Sequence, residues 1–470
     1  MTSTENGDAP KTDFDRAMAW LAGFTDYEQA LPDGRRGPRF ELDRMEALLD
    51  ALHHPERRRG ILHVAGSKGK GSVVLMLDRV GREHGARTGR FLSPHLEHVT
   101  ERIAVGGHPL EEARFAHFAR RLAPYVEACL RSDPTRLPTF FESITAMAHL
   151  AFQAADCDWI SLEVGLGGRL DATNLVTPEV SIITPIDLEH TRVLGRDLES
   201  IAREKAGILK PGVPAVTAMD DTSAAGRVIA QIARDLDCPL WRLGREILVE
   251  GLQYGADGWR FQVRTPMMSF PDLLLATPGV HQTDNAAVAL GALAQWAAHG
   301  GPAIRPALVA RALRDLELPG RTEVFPPAAP RRATVLLDTA HTPDSFRRLA
   351  GCLERVFPDR KPDVVLGLLR DKDVESCLAP LRGRIGQLVV TEPPSPRALP
   401  AHALARRAQA ALGVSSPPIP IPLDELAAWI TSRPGGVVVA GSTYLAGELR
   451  PALRSRVDES SAGMVDSPHG

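Results

Sequence analysis

Short unbroken apolar runs alternate along the chain with longer stretches whose apolar positions recur every three or four residues. ILHVAG (61–66), DWISLEVG (158–165), VSIITPID (180–187) and VPAVTAM (213–219) have strand length and end in small or polar residues. Runs of this kind are strands buried on both faces, which implies a parallel sheet. A second set follows Leu318-Pro319-Gly320: ATVLLDTA (333–340), DVVLGLLRD (363–371), QLVVTEP (387–393) and GVVVAGS (436–442). Between those strands fall helical stretches such as SFRRLAGCLERVF (345–357) and ALARRAQAAL (403–412), so both halves are predicted to be α/β. Residues 243–277 are richer in strand formers and predict a hairpin at the edge of the first domain. The halves share alternation but no recurring motif.

At 470 residues the chain exceeds what one hydrophobic core holds, and two domains are expected, 14–318 and 319–456. Residues 1–13 and 457–470 are polar and are expected to be disordered tails. The formal net charge of −3, from 55 basic and 58 acidic residues, gives no general polyanion-binding surface, so nucleic acid is not an expected partner. Five scattered cysteines without a C-x-x-C pair argue against a thiolate zinc site and a disulfide framework. The N-terminal MTSTENGDAPKTD lacks a signal-peptide pattern and no apolar run reaches membrane-spanning length. A cytoplasmic protein without a membrane partner is the expectation.

Candidate chemistry begins with HVAGSKGKGS (63–72), which joins a buried strand to the amphipathic SVVLMLDRVGREHG. Strand, glycine-rich turn and helix form the context of a phosphate site, because glycines let backbone N–H groups face an anion and the helix N-terminus adds its positive end. Gly66, Ser67, Lys68, Gly69, Lys70, Gly71 and Ser72 are the candidate contacts. Lys70 would reach the terminal phosphates and the Ser72 hydroxyl would help hold Mg²⁺. The common P-loop puts Ser or Thr directly after Gly-Lys, whereas here Gly71 intervenes. The competing reading is a strand-to-helix turn kept small for packing.

The loop resembles the HVAG-[TS]-x-GKGS loop of the folylpolyglutamate synthase and dihydrofolate synthase family, within the Mur ligase superfamily, where one residue more separates Lys from Ser. The resemblance continues in order from about residue 14 to 450. It runs through FLSPHLEHVTERI (91–103), TFFESITAMAHLAF (139–152), LEVGLGGRLDATN (162–174), PIDLEHTRVLG (185–195) and ESIAREKAGILK (199–210). HQTDNAAVAL (281–290), LPGRTEV (318–324), DTAHTPDS (338–345), LRDKD (369–373), PPSPRALPA (393–401) and GSTYLAGE (441–448) complete it. This implies an N-terminal P-loop-type parallel-sheet ATPase domain, a smaller C-terminal Rossmann-like α/β domain and an active site in the interdomain cleft. The implied activity is ATP-dependent carboxylate–amine ligation: ATP phosphorylates the acid, the amine attacks the acyl phosphate, and ADP and phosphate leave. Dihydropteroate or a folate would be the acid and L-glutamate the amine, and such enzymes are commonly monomers.

By the same resemblance Glu163, His190 and Lys205 join Ser72 in holding two Mg²⁺ ions, with Lys205 converted to a carbamate, and Lys70, Glu163, His190 and Lys205 are the catalytic set. Read without the family, Glu163 is a buried carboxylate satisfied by backbone N–H groups, His190 an exposed loop histidine and Lys205 a helical lysine beside Glu204. Asn285 is implied to bind the adenine, though HQTDNAA also reads as a capped helix start. Arg321 is implied to reach the ATP phosphates from the linker, and Asp338 and His341 to close over the nucleotide, Asp338 towards the ribose. Ser93, His95, Phe141 and Glu142 are candidates for the acid-substrate side, with loop and core packing as their alternative.

Four departures stand out: Ser67-Lys68 for the family's Thr-Asn, Thr342 for the Asn of A-H-N-P, Thr443 for the Leu or Phe of GS-[LF]-Y, and Leu92 for the aromatic before SPHL. Lys68 either adds a phosphate contact or points into solvent. Because of these departures two other functions stay open. One is a specialised paralogue joining a non-folate acid to an amino acid or amine in secondary metabolism; the other is an ATP-binding regulator without catalysis.

Overall fold

The computed structural model describes residues 12–27, 41–327, 332–413 and 417–462, and it carries three sheets among them. The first has eight strands in the order His108–Pro109, Ile103–Val105, Thr88–Phe91, Trp159–Glu163, Ile61–Ala65, Val180–Ile183, Ala215–Thr217 and Leu240–Arg242. Its pairings are parallel except at the Ile103–Val105 edge. Every residue of Ile61–Ala65, Trp159–Glu163 and Val180–Ile183 is buried, which accounts for their unbroken apolar runs. Val64 stands opposite Glu163 and Ala65 opposite Ile183, so the carboxyl ends of the three strands lie side by side. A parallel sheet gathers ligand-binding loops at that edge.

One face of this sheet packs on the helices Lys70–Glu83 and His281–Ala298, the other on Glu112–Ser132 and Phe140–Ala154. Thr88–Phe91 escaped the sequence reading because TGRF is short and interrupted by a charge.

The hairpin expected at the edge of the first domain is present, extended to a three-stranded antiparallel sheet of Leu248–Gly255, Gly258–Arg264 and Ser269–Leu275 that is separate from the eight-stranded one. Trp259, Phe261 and Val263 alternate with exposed residues, and this apolar face joins the core formed with His281–Ala298. A strand with one such face finds its place by packing that face on a helix as readily as by extending a sheet.

The third sheet orders Glu323–Phe325, Thr334–Leu337, Gly436–Ala440, Asp363–Leu366, Leu388–Val390 and Ile419–Pro420, parallel but for the first strand. The α/β architecture expected of both halves is therefore present. The expected tails need correction. Thr12 caps a helix that already starts at Asp13, and the last helix, Thr443–Ala462, runs past residue 457. The remainder of both tails, 1–11 and 463–470, lies outside the described residues.

Helix Thr443–Ala462 crosses the loop after Phe91 so closely that a Cβ on Gly447 would collide with the Leu96 carbonyl oxygen. One turn on, Arg450 ion-pairs with Glu97 of that loop and with Glu323. Gly447→Ala should therefore push the helix off the loop and lower stability by about 1–3 kcal/mol, read as a fall in the denaturation midpoint. An unchanged midpoint would show that the contact tolerates a methyl group.

Candidate active site

A cleft of about 690 Å³ opens where the loops after Ala65, Glu163 and Ile183 face the segment 315–321, Thr339, His341 and the helix Thr443–Ala462. The phosphate-loop candidate forms its floor. Gly66 and Gly69 have φ of +145° and +87°, in the region that favours glycine, and Gly69 caps helix Lys70–Glu83. Ser67 and Lys68 donate their backbone N–H groups to the Pro185 carbonyl, at 2.9 and 3.1 Å. The Ser67 hydroxyl donates to the Asp187 carbonyl at 3.1 Å, and Ser72 is buried in the first turn of the helix.

Two residues placed far away in the chain meet this loop. A Cβ on Gly69 would collide with Asn285 Oδ1, and one on Gly71 with the Arg321 guanidinium. The glycines thus serve close approach as well as backbone conformation. Asn285 is buried and donates to Gln282 Oε1 at 2.9 Å; Arg321 Nη1 donates to the Pro319 carbonyl at 2.9 Å.

The charged side chains form a chain around the Gly66 carbonyl. Lys205 Nζ donates to it at 2.8 Å and Lys70 Nζ at 3.1 Å. Lys70 Nζ also lies 4.0 Å from Glu163 Oε1, and Glu163 Oε2 accepts the Ser93 N–H at 3.2 Å. Glu163 is 4% exposed, and burial raises its carboxyl above the usual range against the pull of Lys70 and Arg321. Lys205, 2% exposed, is pushed down to about 8 by burial, with Glu189 opposing the shift.

Glu189 is the residue that sequence reading missed. Its carboxylate lies 3.2 Å from Lys68 Nζ and 3.3 Å from Lys205 Nζ. Burial alone would raise it, but Lys68, Lys205 and Lys70 hold it well below the usual carboxylate range. The signal was an acid directly before His190 in PIDLEHTRVLG. Lys68 consequently does not point into solvent: it is ion-paired beside Lys205. His190 lines the open side of the cleft in a left-handed conformation, φ +49°.

On the acid-substrate side the outcome divides. Ser93 and His95 line the cleft, with Arg102 Nε donating to His95 Nδ1 at 3.0 Å. Phe141 and Glu142 are not on its lining. Phe141 packs against Gly165 and Phe91, while Glu142 closes a capping box with Thr139 and ion-pairs with Arg44 at 3.1 Å. Asp338 also stands behind the lining, accepting the N–H groups of Thr322 and Ala340 at 2.7 Å each, whereas His341 is on it. Thr342 is the N-cap of helix Pro343–Val356, a position that asparagine would also suit.

Residues 320–442 match the family model of the Mur ligase glutamate ligase domain. The chain is 31% identical to the dihydrofolate synthase/folylpolyglutamate synthase of Bacillus subtilis, covering 94% of this chain and 100% of the relative. It belongs to the folylpolyglutamate synthase/dihydrofolate synthase family. The Mycobacterium tuberculosis member is 35% identical across 80% of this chain and 79% of its own length. The solved M. tuberculosis folylpolyglutamate synthase complexed with ADP superposes with a TM-score of 0.82 at 32% identity, covering 94% of this chain and 98% of that one. A bifunctional folylpolyglutamate synthase/dihydrofolate synthase with Mn, AMPPNP and L-glutamate bound superposes with a TM-score of 0.77 at 30% identity, over 95% and 99%. For this family member, no helix among the described residues is long and apolar enough to cross a membrane.

Burial pushes the Asp338 carboxyl up to about 6, against its two backbone N–H donors and Arg321. Protonation is then easier in the folded chain than in the unfolded one. The stability this group contributes is fully present below about pH 4 and is lost as pH rises through about 6. Asp338→Asn should remove that slope, so the difference in unfolding free energy between variant and wild type should move by about 3 kcal/mol between pH 4 and 7. Denaturant melts across that window measure it, and parallel pH profiles would refute it.

Proposed function

We propose that this chain adds L-glutamate to dihydropteroate and, in further rounds, to the γ-carboxylate of reduced folates, by ATP-dependent ligation in the cleft between domains 14–318 and 319–456. Family membership supports the reaction class. The observation that carries the site assignment is the convergence of Lys205, Glu163, Arg321 and Asn285, from four separate parts of the chain, on the loop that carries Lys70.

In this reading an oxygen of the acid's carboxylate attacks the γ-phosphorus of ATP and ADP leaves. The amine nitrogen then attacks the acyl carbon, loses a proton, and phosphate departs as the amide forms. The chain's part is to place the reactants and neutralise charge on the transferring phosphoryl group. The backbone of Gly69–Ser72 and the Lys70 ammonium would cradle the phosphates and Arg321 would meet them from the linker; Asn285, packed on Gly69 behind the cleft lining, would have to turn from Gln282 to hydrogen-bond the adenine. His341 would close over the nucleotide, with Asp338 bracing the linker behind it through the Thr322 N–H.

The residues present suit Mg²⁺. Among the described residues no group of three or more His, Cys, Asp or Glu side chains could hold a metal by itself. Mg²⁺ commonly binds through one or two carboxylates together with substrate phosphates and water. Ser72, Glu163, His190 and a carbamate on Lys205 would hold two ions, which supply charge neutralisation when bound. A lysine with its pKa pushed to about 8 is partly neutral near pH 7.5, the form that adds CO₂.

Two of the departures have partners in the fold that do not involve the acid: Lys68 is taken up by Glu189 and Thr342 by a helix cap. Leu92 and Thr443 line the cleft with Ser93 and His95, so they are where the choice of acid could differ. The test is ADP release with dihydropteroate or tetrahydrofolate and L-glutamate, with product mass identifying the amide. Lys205→Ala should lower turnover by a factor of about 100 or more, and added formate or acetate should restore part of it. Undiminished turnover in that variant would remove Lys205 from the catalytic set.

A further inference from the structure

Helix Lys70–Glu83 carries a second charged cluster beyond the phosphate loop. Asp78 is fully buried on it, and a single oxygen, Oδ2, accepts from both Arg82 Nε at 3.1 Å and Arg90 Nη1 at 3.3 Å. Two guanidiniums therefore share one carboxylate oxygen. Arg90 is 9% exposed in the otherwise buried strand Thr88–Phe91, and that hydrogen bond to Asp78 is its one partner among the described residues; its Nε is buried and unpaired. Arg82 uses only its Nε, and it lies over the turn at Gly107, where a Cβ would collide with its guanidinium. Both arginines line the same cleft as the phosphate loop.

A buried guanidinium with most of its donors unused is costly, and a carboxylate matches its planar fork with two parallel hydrogen bonds. Asp78 lies about 12 Å along the helix axis from Lys70, at a rise of about 1.5 Å per residue. An anion held there would lie in the same cleft as the 66–72 loop but away from Lys70. Burial lowers the Arg90 pKa, with Asp78 opposing and the charges of Arg82 and Arg321 adding to the fall.

We propose that Arg90 and Arg82 form a subsite for the α-carboxylate of a glutamate residue, supplied by the γ-linked glutamate tail of the acid substrate. The proposal rests on the glutamate-ligase reading above. The incoming amino acid is the other source of the same group, and kinetics separate the two. Arg90→Leu should raise KM for tetrahydropteroyl-diglutamate by about tenfold more than it raises KM for dihydropteroate, which has no glutamate. Arg90→Lys, keeping the charge without the fork, should recover part of that loss. A rise confined to free glutamate would assign the subsite to the incoming amino acid. Equal changes within twofold for every substrate would overturn it.

Binding of γ-L-glutamyl-L-glutamate by calorimetry reads the subsite without turnover. Wild-type protein should bind it at least about tenfold more tightly than Arg90→Leu or Arg82→Met. Arg82 is partly exposed, and melting curves check that each variant folds. Identical affinities in all three proteins would overturn the subsite even if folates are turned over. Tight binding by a wild-type chain that ligates no pteroyl acid would overturn the functional reading and leave the subsite standing.

Discussion

The Gly66 carbonyl oxygen holds the site together. It accepts hydrogen bonds from Lys205 and Lys70, so it joins a helix at residues 198–206 to the phosphate loop that follows the central strand. Only glycine can stand there, because the backbone adopts φ +145° and Thr184 occupies the space a Cβ would need. An ammonium group fixed by a backbone carbonyl inside the protein is held at the cost of losing water. That cost lowers the Lys205 pKa.

Charge in this region is arranged by sharing. Glu189 lies between two lysines, Glu163 between Lys70 and a backbone N–H, and Asp78 between two arginines. In each case burial removes solvent and the neighbour takes its place. The cations outnumber their carboxylate partners in this part of the cleft, as suits a site whose reactants are a triphosphate and carboxylic acids.

The C-terminal half contributes through contact as much as through residues of its own. Arg450 connects Glu97 on the SPHL loop to Glu323, and Glu323 Oε2 accepts the Gly320 N–H at 2.8 Å in the linker that carries Arg321. The position of the loop that bears Ser93 and His95 is thereby tied to the position of the arginine that touches Gly71. Movement of one half relative to the other would be felt at both ends of the cleft.

Much of this was legible in the sequence. The buried runs 61–66, 158–165 and 180–187 announced parallel strands because a strand covered on both faces has no polar side to show. The glycines of 66–72 pointed to a tight strand-to-helix turn, which the structure has at Gly66 and Gly69, and motif order along the chain identified the family. Sequence left undecided whatever depends on the direction of a side chain across elements distant in the chain. Lys68 could meet phosphate or water, and only the fold set it against Glu189. Glu142 looked like a substrate residue, and the structure places it in a helix cap beside Arg44, outside the cleft lining. Arg90 was hidden in a short strand, and its surplus donors emerged only when the sheet brought it to Asp78. Local pattern determines which element a residue joins; the partner it meets is decided by the packing of elements that the chain separates by tens or hundreds of residues.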